Sequence, residues 1–112
     1  MNIQIFGKSK CFDTAKAERY FKERRIKYQF VDILRYGLSK GELESVARAV
    51  GIDRLIDSRS KDYGRLGLAG IVSPAARREL LLENPGLYRT PIVRNGKAAT
   101  VGYEPDVWKT WE

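Results

Sequence analysis

Alternating apolar and polar residues at positions 2–6 open the chain and predict a β-strand that ends at Gly7. Over about residues 12–25 the spacing of apolar residues becomes helical, and neither glycine nor proline interrupts it. The apolar positions of this predicted helix are Phe12, Ala15, Ala17, Tyr20 and Phe21. Residues 26–33 alternate again, so strand, helix and strand follow one another as in a βαβ unit with parallel strands.

The middle of the chain, about residues 36–88, is predicted to be a helical insertion. Ser39 and Glu42 form a capping box before an apolar-periodic run, in which each side chain satisfies a backbone amide of the helix start. Gly51 follows the run at the C′ position, where a helix commonly ends in a left-handed residue. These residues are therefore expected to be structural.

Two further helical segments and a loop are predicted within this insertion. Residues 52–57 predict a short helix, and the glycine-rich stretch 63–70 predicts a loop with one helical turn. That stretch is not a phosphate-binding loop, because no Gly-Lys-Ser/Thr sequence follows it. Ser73 and Pro74 begin another helix, as N-cap and first-turn residue, and it continues to about Glu83.

A β-hairpin and a terminal helix are predicted at the end of the chain. Asn95-Gly96 separates two strand-like runs, which favours a type I′ turn with positive φ at both central residues. Pro91 begins the first of these strands or lies at its edge, because proline cannot donate to a β-ladder. The terminal helix opens at Glu104-Pro105, and its residues expected to pack against the sheet are Val107, Trp108 and Trp111.

The predicted order is therefore β-α-β, a helical middle, and ββ-α. This order indicates an α/β fold with one mixed four-stranded sheet flanked by helices. We expect residues 1–112 to form a single domain, since no repeat, low-complexity segment or linker divides the chain.

The composition is that of an ordinary soluble protein, with 43% hydrophobic and 31% charged residues. No apolar run approaches the roughly 20 residues of a membrane span, and the first residues lack a signal sequence, so a cytoplasmic location and no membrane partner are expected. The net charge of +7 favours an anionic partner or, alternatively, reflects only a basic solvated surface. Direct nucleic-acid binding is not expected, because no helix-turn-helix signature is present.

Cys11 is the only cysteine, and the chain contains no histidine. An internal disulfide, a CxxC site, a Cys-His dyad and a histidine metal ligand are all excluded, and no metal site is expected. Cys11 follows a strand and starts a helix, where free amides favour a thiolate. Lys8 and Lys10 add cations, and Thr14 lies on the same helix face as a hydroxyl donor. A reactive thiol is one interpretation, and a buried inert cysteine is the other.

Four segments of the sequence form a family-like pattern. They are residues 5–11, 57–61, 84–93 and 101–103. In this order and spacing they resemble the ArsC/Spx family of thioredoxin-like proteins, which comprises ArsC-type arsenate reductases, the Spx regulators of disulfide stress and other bacterial members. The resemblance covers nearly the whole chain and implies a thioredoxin-like fold.

The resemblance also implies roles for individual residues. Cys11 matches the family's nucleophile, Arg59 matches an arginine that faces the oxyanion, and Pro91 matches a cis-proline beside the thiol. In Spx-type members the region that matches Gly51 contacts the α subunit of RNA polymerase, although Gly51 is also explained as a helix end.

Several positions depart from the family pattern. Thr90 replaces the arginine that usually precedes the cis-proline, and Gly102 stands about where the reductases carry another arginine. Arg89 and Arg94 are near in sequence, but strand alternation does not assure that either replaces the missing groups. Thr14 stands where redox-type Spx proteins have a second cysteine, so the chain resembles the single-cysteine members.

Two hypotheses remain open at the level of sequence. The first is an arsenate reductase-like thiol oxidoreductase that uses Cys11 as nucleophile, binds no cofactor, and relies on external glutathione and glutaredoxin to resolve its adduct with an oxyanion or disulfide. In this hypothesis Arg59 binds the anion, and the candidate substrate- or thiolate-stabilising residues are Lys8, Lys10, Thr14, Arg89, Thr90, Pro91 and Arg94. The second is an Spx-like regulator that binds the α subunit of RNA polymerase.

Overall fold

The computed structural model describes residues 1–112 and contains four strands and six α-helices. The strands are β1 (Ile3–Gly7), β2 (Tyr28–Asp32), β3 (Ile92–Asn95) and β4 (Ala98–Val101). The helices are α1 (Phe12–Glu23), α2 (Ile33–Tyr36), α3 (Lys40–Val50), α4 (Lys61–Arg65), α5 (Pro74–Glu83) and α6 (Pro105–Lys109). Short 3₁₀ helices lie at Ile52–Leu55, Leu68–Gly70 and Pro85–Leu87.

The strands form one mixed sheet in the order β2-β1-β3-β4. β1 pairs in parallel with β2 and antiparallel with β3, and β4 returns antiparallel to β3. The predicted mixed four-stranded sheet is therefore confirmed. Its parallel pair comes from the βαβ unit, since a crossover through α1 returns the chain to the same end of the sheet.

Alternation along the strands divides the core between the two faces of the sheet. Ile3, Ile5 and Val93 point to one face, where they pack with α1 and with Trp108 of α6. Phe6 and Ile92 point to the other face and pack against the helical insertion. The sheet is thus covered on both sides, which explains why β1 is almost wholly buried.

None of the helices has the length and the apolar character that a membrane span requires.

The predicted capping box is confirmed in both directions. The Ser39 hydroxyl accepts from the Glu42 amide at 3.1 Å, and a Glu42 carboxylate oxygen accepts from the Ser39 amide at 2.8 Å. Gly51 ends α3 with a positive φ of 88°, as expected, but its ψ of 144° is extended and not left-handed helical. The chain can therefore leave α3 directly into the next 3₁₀ turn.

The predicted hairpin forms, but its turn type differs from the prediction. Asn95 pairs with Ala98, so Gly96 and Lys97 are the central residues of the turn. Gly96 has φ of 60°, while Asn95 and Lys97 do not have positive φ. Positive φ at the first central residue alone is the pattern of a type II′ turn, so the type I′ prediction was wrong.

Tertiary packing also overturns some local predictions. Phe12, expected on the buried face of α1, is 86% exposed, because Thr14, Ala17, Tyr20 and Phe21 form that face instead. Val107 is exposed, whereas Trp108 is buried and Trp111 packs partly against the same cluster. Two segments are also more helical than expected: α2 follows β2 directly, and the glycine-rich 63–70 stretch lies largely in α4 and a 3₁₀ turn.

The buried Trp108 indole donates to the Thr100 hydroxyl at 2.8 Å, a pair that links α6 to β4. We predict that Thr100→Val lowers the free energy of unfolding by about 1–3 kcal/mol, because the indole N–H then stays buried without an acceptor. Urea denaturation followed by tryptophan fluorescence measures the change. Thr110→Val is the matched control, since that hydroxyl is exposed and its loss should change stability by no more than about 0.5 kcal/mol. Equal effects of the two substitutions would show that the hydrogen bond between Trp108 and Thr100 does not contribute specifically to stability.

Candidate active site

The candidate active site forms where the end of β1 and the start of β3 lie side by side. Phe6 pairs with Ile92 in the antiparallel register, so the loop after β1 faces the residues that precede β3. The loop delivers Cys11, and the facing segment contributes Thr90 and Pro91. The Thr90–Pro91 peptide bond is cis, as the resemblance implies.

Cys11 is the N-cap residue of α1 and has extended backbone angles, with φ of −97° and ψ of 118°. Its amide donates to the Lys8 carbonyl at 3.1 Å, and its own carbonyl accepts from the Ala15 amide at 3.2 Å. Its thiol donates to the Thr90 carbonyl oxygen at 3.6 Å. The partly exposed thiol is therefore held at the helix start but remains accessible.

Hydrogen bonds around the sulfur favour its ionised form. Partial burial favours the neutral thiol, but donors from the Thr14 and Thr90 side chains and from the amides of Thr14 and Asp13 outweigh it. The pKa of Cys11 therefore lies below the ordinary value of a cysteine. A thiolate is the nucleophilic form, so these contacts favour a reactive cysteine over an inert one.

Thr14 reaches the sulfur because Gly7 leaves room for it. Thr14 is only 2% exposed, and its hydroxyl oxygen accepts from the Lys8 amide at 3.4 Å. A Cβ at Gly7 would come into hard contact with the Thr14 methyl group and lie 2.9 Å from its hydroxyl oxygen. The absence of a side chain at Gly7 thus allows α1 to pack with Thr14 beneath the thiol.

Cys11 lies in a cleft of about 500 Å³ that also contains two arginines, Arg59 and Arg89. Ile56 and Tyr88 form a β-bridge, flanked by backbone hydrogen bonds of 2.8 Å on each side, which brings these two distant segments together. Neither guanidinium has a hydrogen-bond or ion-pair partner within the protein, so both are available to an anion.

Three of the predicted stabilising residues do not face the thiol. The Lys8 ammonium donates to the Gly86 and Tyr88 carbonyls at 3.3 and 3.0 Å, and so ties the loop to the insertion. Lys10 is exposed and does not line the cleft. Arg94 points to the opposite end of β3, where it donates to Gln4 at 3.1 Å and pairs with Glu42 at 3.9 Å. None of these three side chains lines the Cys11 cleft.

Two carboxylates also line the cleft, and sequence reasoning missed the second of them, Asp57. Asp13 follows the cysteine, and Asp57 lies beside Arg59, whose backbone amide donates to the Asp57 carboxylate at 2.9 Å. An aspartate two residues before Arg59 is typical of a turn in which its carboxylate accepts from the Arg59 amide. This pattern could have predicted that Asp57 lies beside Arg59. The cleft therefore carries charges of both signs. No group of three or more acidic, cysteine or histidine side chains is arranged to hold a metal ion.

The sheet order and the thiol at the start of α1 define a protein with a thioredoxin-like fold. The protein-family model described as the ArsC family matches residues 6–111. The chain belongs to the ArsC family.

Named relatives include both regulators and reductases. The global transcriptional regulator Spx 2 of Oceanobacillus iheyensis is 37% identical over 109 residues, which cover 95% of this chain and 80% of that protein. An ArsC family related protein from Bacteroides fragilis has a TM-score of 0.89 at 20% identity, with 100% and 98% of the two chains covered. An arsenate reductase from Vibrio cholerae has a TM-score of 0.85 at 22% identity, with 96% and 94% covered. At these identities the two structures show a shared fold.

We predict that alkylation of Cys11 by iodoacetamide follows a pH profile whose inflection lies below the ~8.5 of a free cysteine. Thr14→Val and Thr90→Val should each move the inflection to higher pH, because each removes a hydroxyl that stabilises the thiolate. Thr110→Val, at an exposed position outside the site, is the control and should leave the profile unchanged. A wild-type inflection at or above the free value would refute a thiolate-stabilising site.

Gly7→Ala tests the packing that positions Thr14. We expect it to raise the pKa of Cys11 and to lower the free energy of unfolding by about 1–3 kcal/mol, because the new methyl group displaces Thr14. The alkylation profile and urea denaturation measure the two effects. Gly41→Ala is the matched control, since a Cβ there meets no atom within 4 Å. An unchanged alkylation profile in Gly7→Ala would show that Thr14 does not depend on this contact.

Proposed function

We propose that the protein is a thiol-dependent oxidoreductase of the ArsC type, with Cys11 as its nucleophile. The observation that carries the proposal is that Cys11, whose pKa is lowered by neighbouring hydrogen-bond donors, lies in the same cleft as two arginines without partners in the protein. Cys11 supplies the sulfur, Thr14 and Thr90 stabilise its ionised form, and Arg59 and Arg89 bind negative charge on the substrate.

The first step is a displacement at the Cys11 sulfur. With a disulfide, the thiolate forms a bond to one substrate sulfur, and the other leaves as a thiolate. With an oxyanion such as arsenate, the sulfur bonds to the central atom, and one hydroxyl group takes up a proton from solvent and leaves as water. The chain has no second cysteine, so an external thiol must release the adduct. Glutathione, with glutaredoxin, is the proposed reductant, and no bound cofactor is required.

The charges of the cleft favour a disulfide substrate over arsenate. Arg94 is turned away and Thr90 occupies the position before the cis-proline, so Arg59 and Arg89 are the cations that line the cleft. Asp13 and Asp57 line it as well and repel a small, multiply charged anion. A disulfide whose flanking groups carry charge of both signs suits this lining better.

Two disulfide probes of different charge test the proposal in single-turnover reactions. Cys11 should react with neutral 4,4′-dithiodipyridine and with dianionic 5,5′-dithiobis(2-nitrobenzoate), and Cys11→Ser should abolish both reactions. Arg59→Gln should slow only the anionic probe, by about tenfold or more, since a hydrogen bond to a charged group contributes about 1.5–3 kcal/mol. Released thiol is followed by absorbance. Arg94→Gln is the matched control, because that side chain lies outside the cleft.

Three other results would contradict parts of this proposal. Arsenate-dependent NADPH consumption in an assay coupled through glutathione and glutaredoxin, lost in Cys11→Ser, would place arsenate ahead of disulfides. Equal slowing of both probes by Arg59→Gln would argue against anion binding by this residue. Reaction of Cys11 no faster than a cysteine in the denatured chain would refute the oxidoreductase proposal.

The second candidate function is that of a regulator that binds RNA polymerase. It is supported by 37% identity, over nearly the whole chain, to a protein named a global transcriptional regulator. Gly51, which matches the family's polymerase-contacting region, is exposed at the end of α3 with open space around it. This function would be favoured if wild type and Cys11→Ser capture purified RNA polymerase α subunit equally well. The Cys11 thiol should then also be unreactive.

A further inference from the structure

A second cavity, of about 300 Å³, lies between α1 and α6 and shares no lining residue with the Cys11 cleft. Four basic side chains line it, against one carboxylate, that of Glu23. The basic residues are Lys16, Arg19, Arg24 and Lys109. We call it the α1–α6 cavity. Its lining is strongly cationic, and the thiol chemistry does not use it.

Three of the four cations of the α1–α6 cavity have no ion-pair partner within the protein. No carboxylate forms an ion pair with Lys16, Arg19 or Arg24. Lys109 pairs with Asp106 at 3.8 Å, and both side chains are exposed to solvent. Exposed pairs of this kind are weak, so the pair competes little with an incoming anion.

Aromatic rings hold two of the cations in place. The Arg24 guanidinium carbon lies 3.7 Å from the centroid of the Tyr20 ring, and its Nη1 donates to the Tyr20 carbonyl at 3.3 Å. The Lys16 ammonium lies 5.6 Å from the centroid of the Tyr103 ring. Cation–π contacts orient these side chains before any ligand arrives, which reduces the entropy that binding costs.

Tyr20 adds a second observation at the same cavity. Its side chain lines the cavity and is only 4% exposed, yet its hydroxyl has no hydrogen-bond partner. Buried hydroxyls are nearly always satisfied, so this one is unusual. Burial raises the pKa of Tyr20, which keeps the phenol protonated.

We propose that the α1–α6 cavity binds a phosphate dianion, either free or as the terminal group of a phosphate ester. A phosphate group offers several acceptor oxygens that match arginine forks and a lysine ammonium at once. A ligand with a single carboxylate group would carry only one negative charge and would leave most of the cationic charge of the cavity uncompensated. The site is independent of the proposed thiol function, because its ligand contacts neither Cys11 nor the arginines of the Cys11 cleft.

The experiment is a ¹H–¹⁵N NMR titration of the full chain with inorganic phosphate and, separately, with glucose 6-phosphate, at constant ionic strength set with sodium chloride. Either ligand should produce saturable shifts in the second half of α1, in α6 and at the Trp108 indole N–H. Tighter binding of glucose 6-phosphate would identify esters as the ligand class, and equal or weaker binding would identify the free anion.

Arg19→Gln is the informative variant, because Arg19 makes no hydrogen bond or ion pair in the protein and its loss should not disturb the fold. It should weaken binding roughly tenfold, which corresponds to about 1.4 kcal/mol. Arg48→Gln is the matched control, since Arg48 lines a different basic cavity together with Lys97. The absence of saturable shifts, equal weakening by both variants, or shifts confined to Cys11 and Thr90 would overturn the proposal.

Discussion

The packing of Thr14 against Gly7 is the constraint on which the geometry of the candidate active site depends. It sets how closely the first turn of α1 approaches the end of β1, and only a residue without a side chain at position 7 permits that distance. The same contact places the Thr14 hydroxyl between the Lys8 amide and the Cys11 sulfur. The close contact between β1 and α1 therefore also affects the pKa of Cys11.

The thiol is stabilised by hydrogen bonds and not by the neighbouring lysines. Hydroxyls and amides are fixed by the backbone of α1 and by the segment before β3, so they act on the sulfur with little loss of entropy. Lys8 is used instead to tie the loop to the insertion. The arginines of the cleft have no partner within the protein, so in the proposed function one set of residues activates the nucleophile and another recognises charge.

The chain is similar in sequence to a protein named a transcriptional regulator and shares its fold with a protein named an arsenate reductase. The fold therefore does not decide between catalysis and binding, and individual side chains must do so. By the resemblance, Thr90 stands where an arginine usually precedes the cis-proline, and in this chain a Thr90 side-chain hydrogen bond helps to lower the pKa of Cys11. In the proposed function, this difference would keep the nucleophile while reducing the positive charge offered to an oxyanion.

The sequence by itself determined the order of strands and helices, the capping box at Ser39 and the position of Cys11 between a strand and a helix. These features depend on periodicity and on contacts within a few residues, which a linear pattern records. It also determined that no second cysteine can resolve an adduct, since composition alone excludes one.

Only the tertiary structure decided which side chains meet. The sheet and α6 select the buried face of α1, which exposes Phe12 and buries Thr14. The bridge between Ile56 and Tyr88 brings Arg59 and Arg89 into one cleft, although 29 residues separate them in sequence. Strand direction likewise turns Arg94 away from the thiol. Such outcomes depend on long-range packing, whose energy is shared among distant residues and leaves no local pattern in the chain.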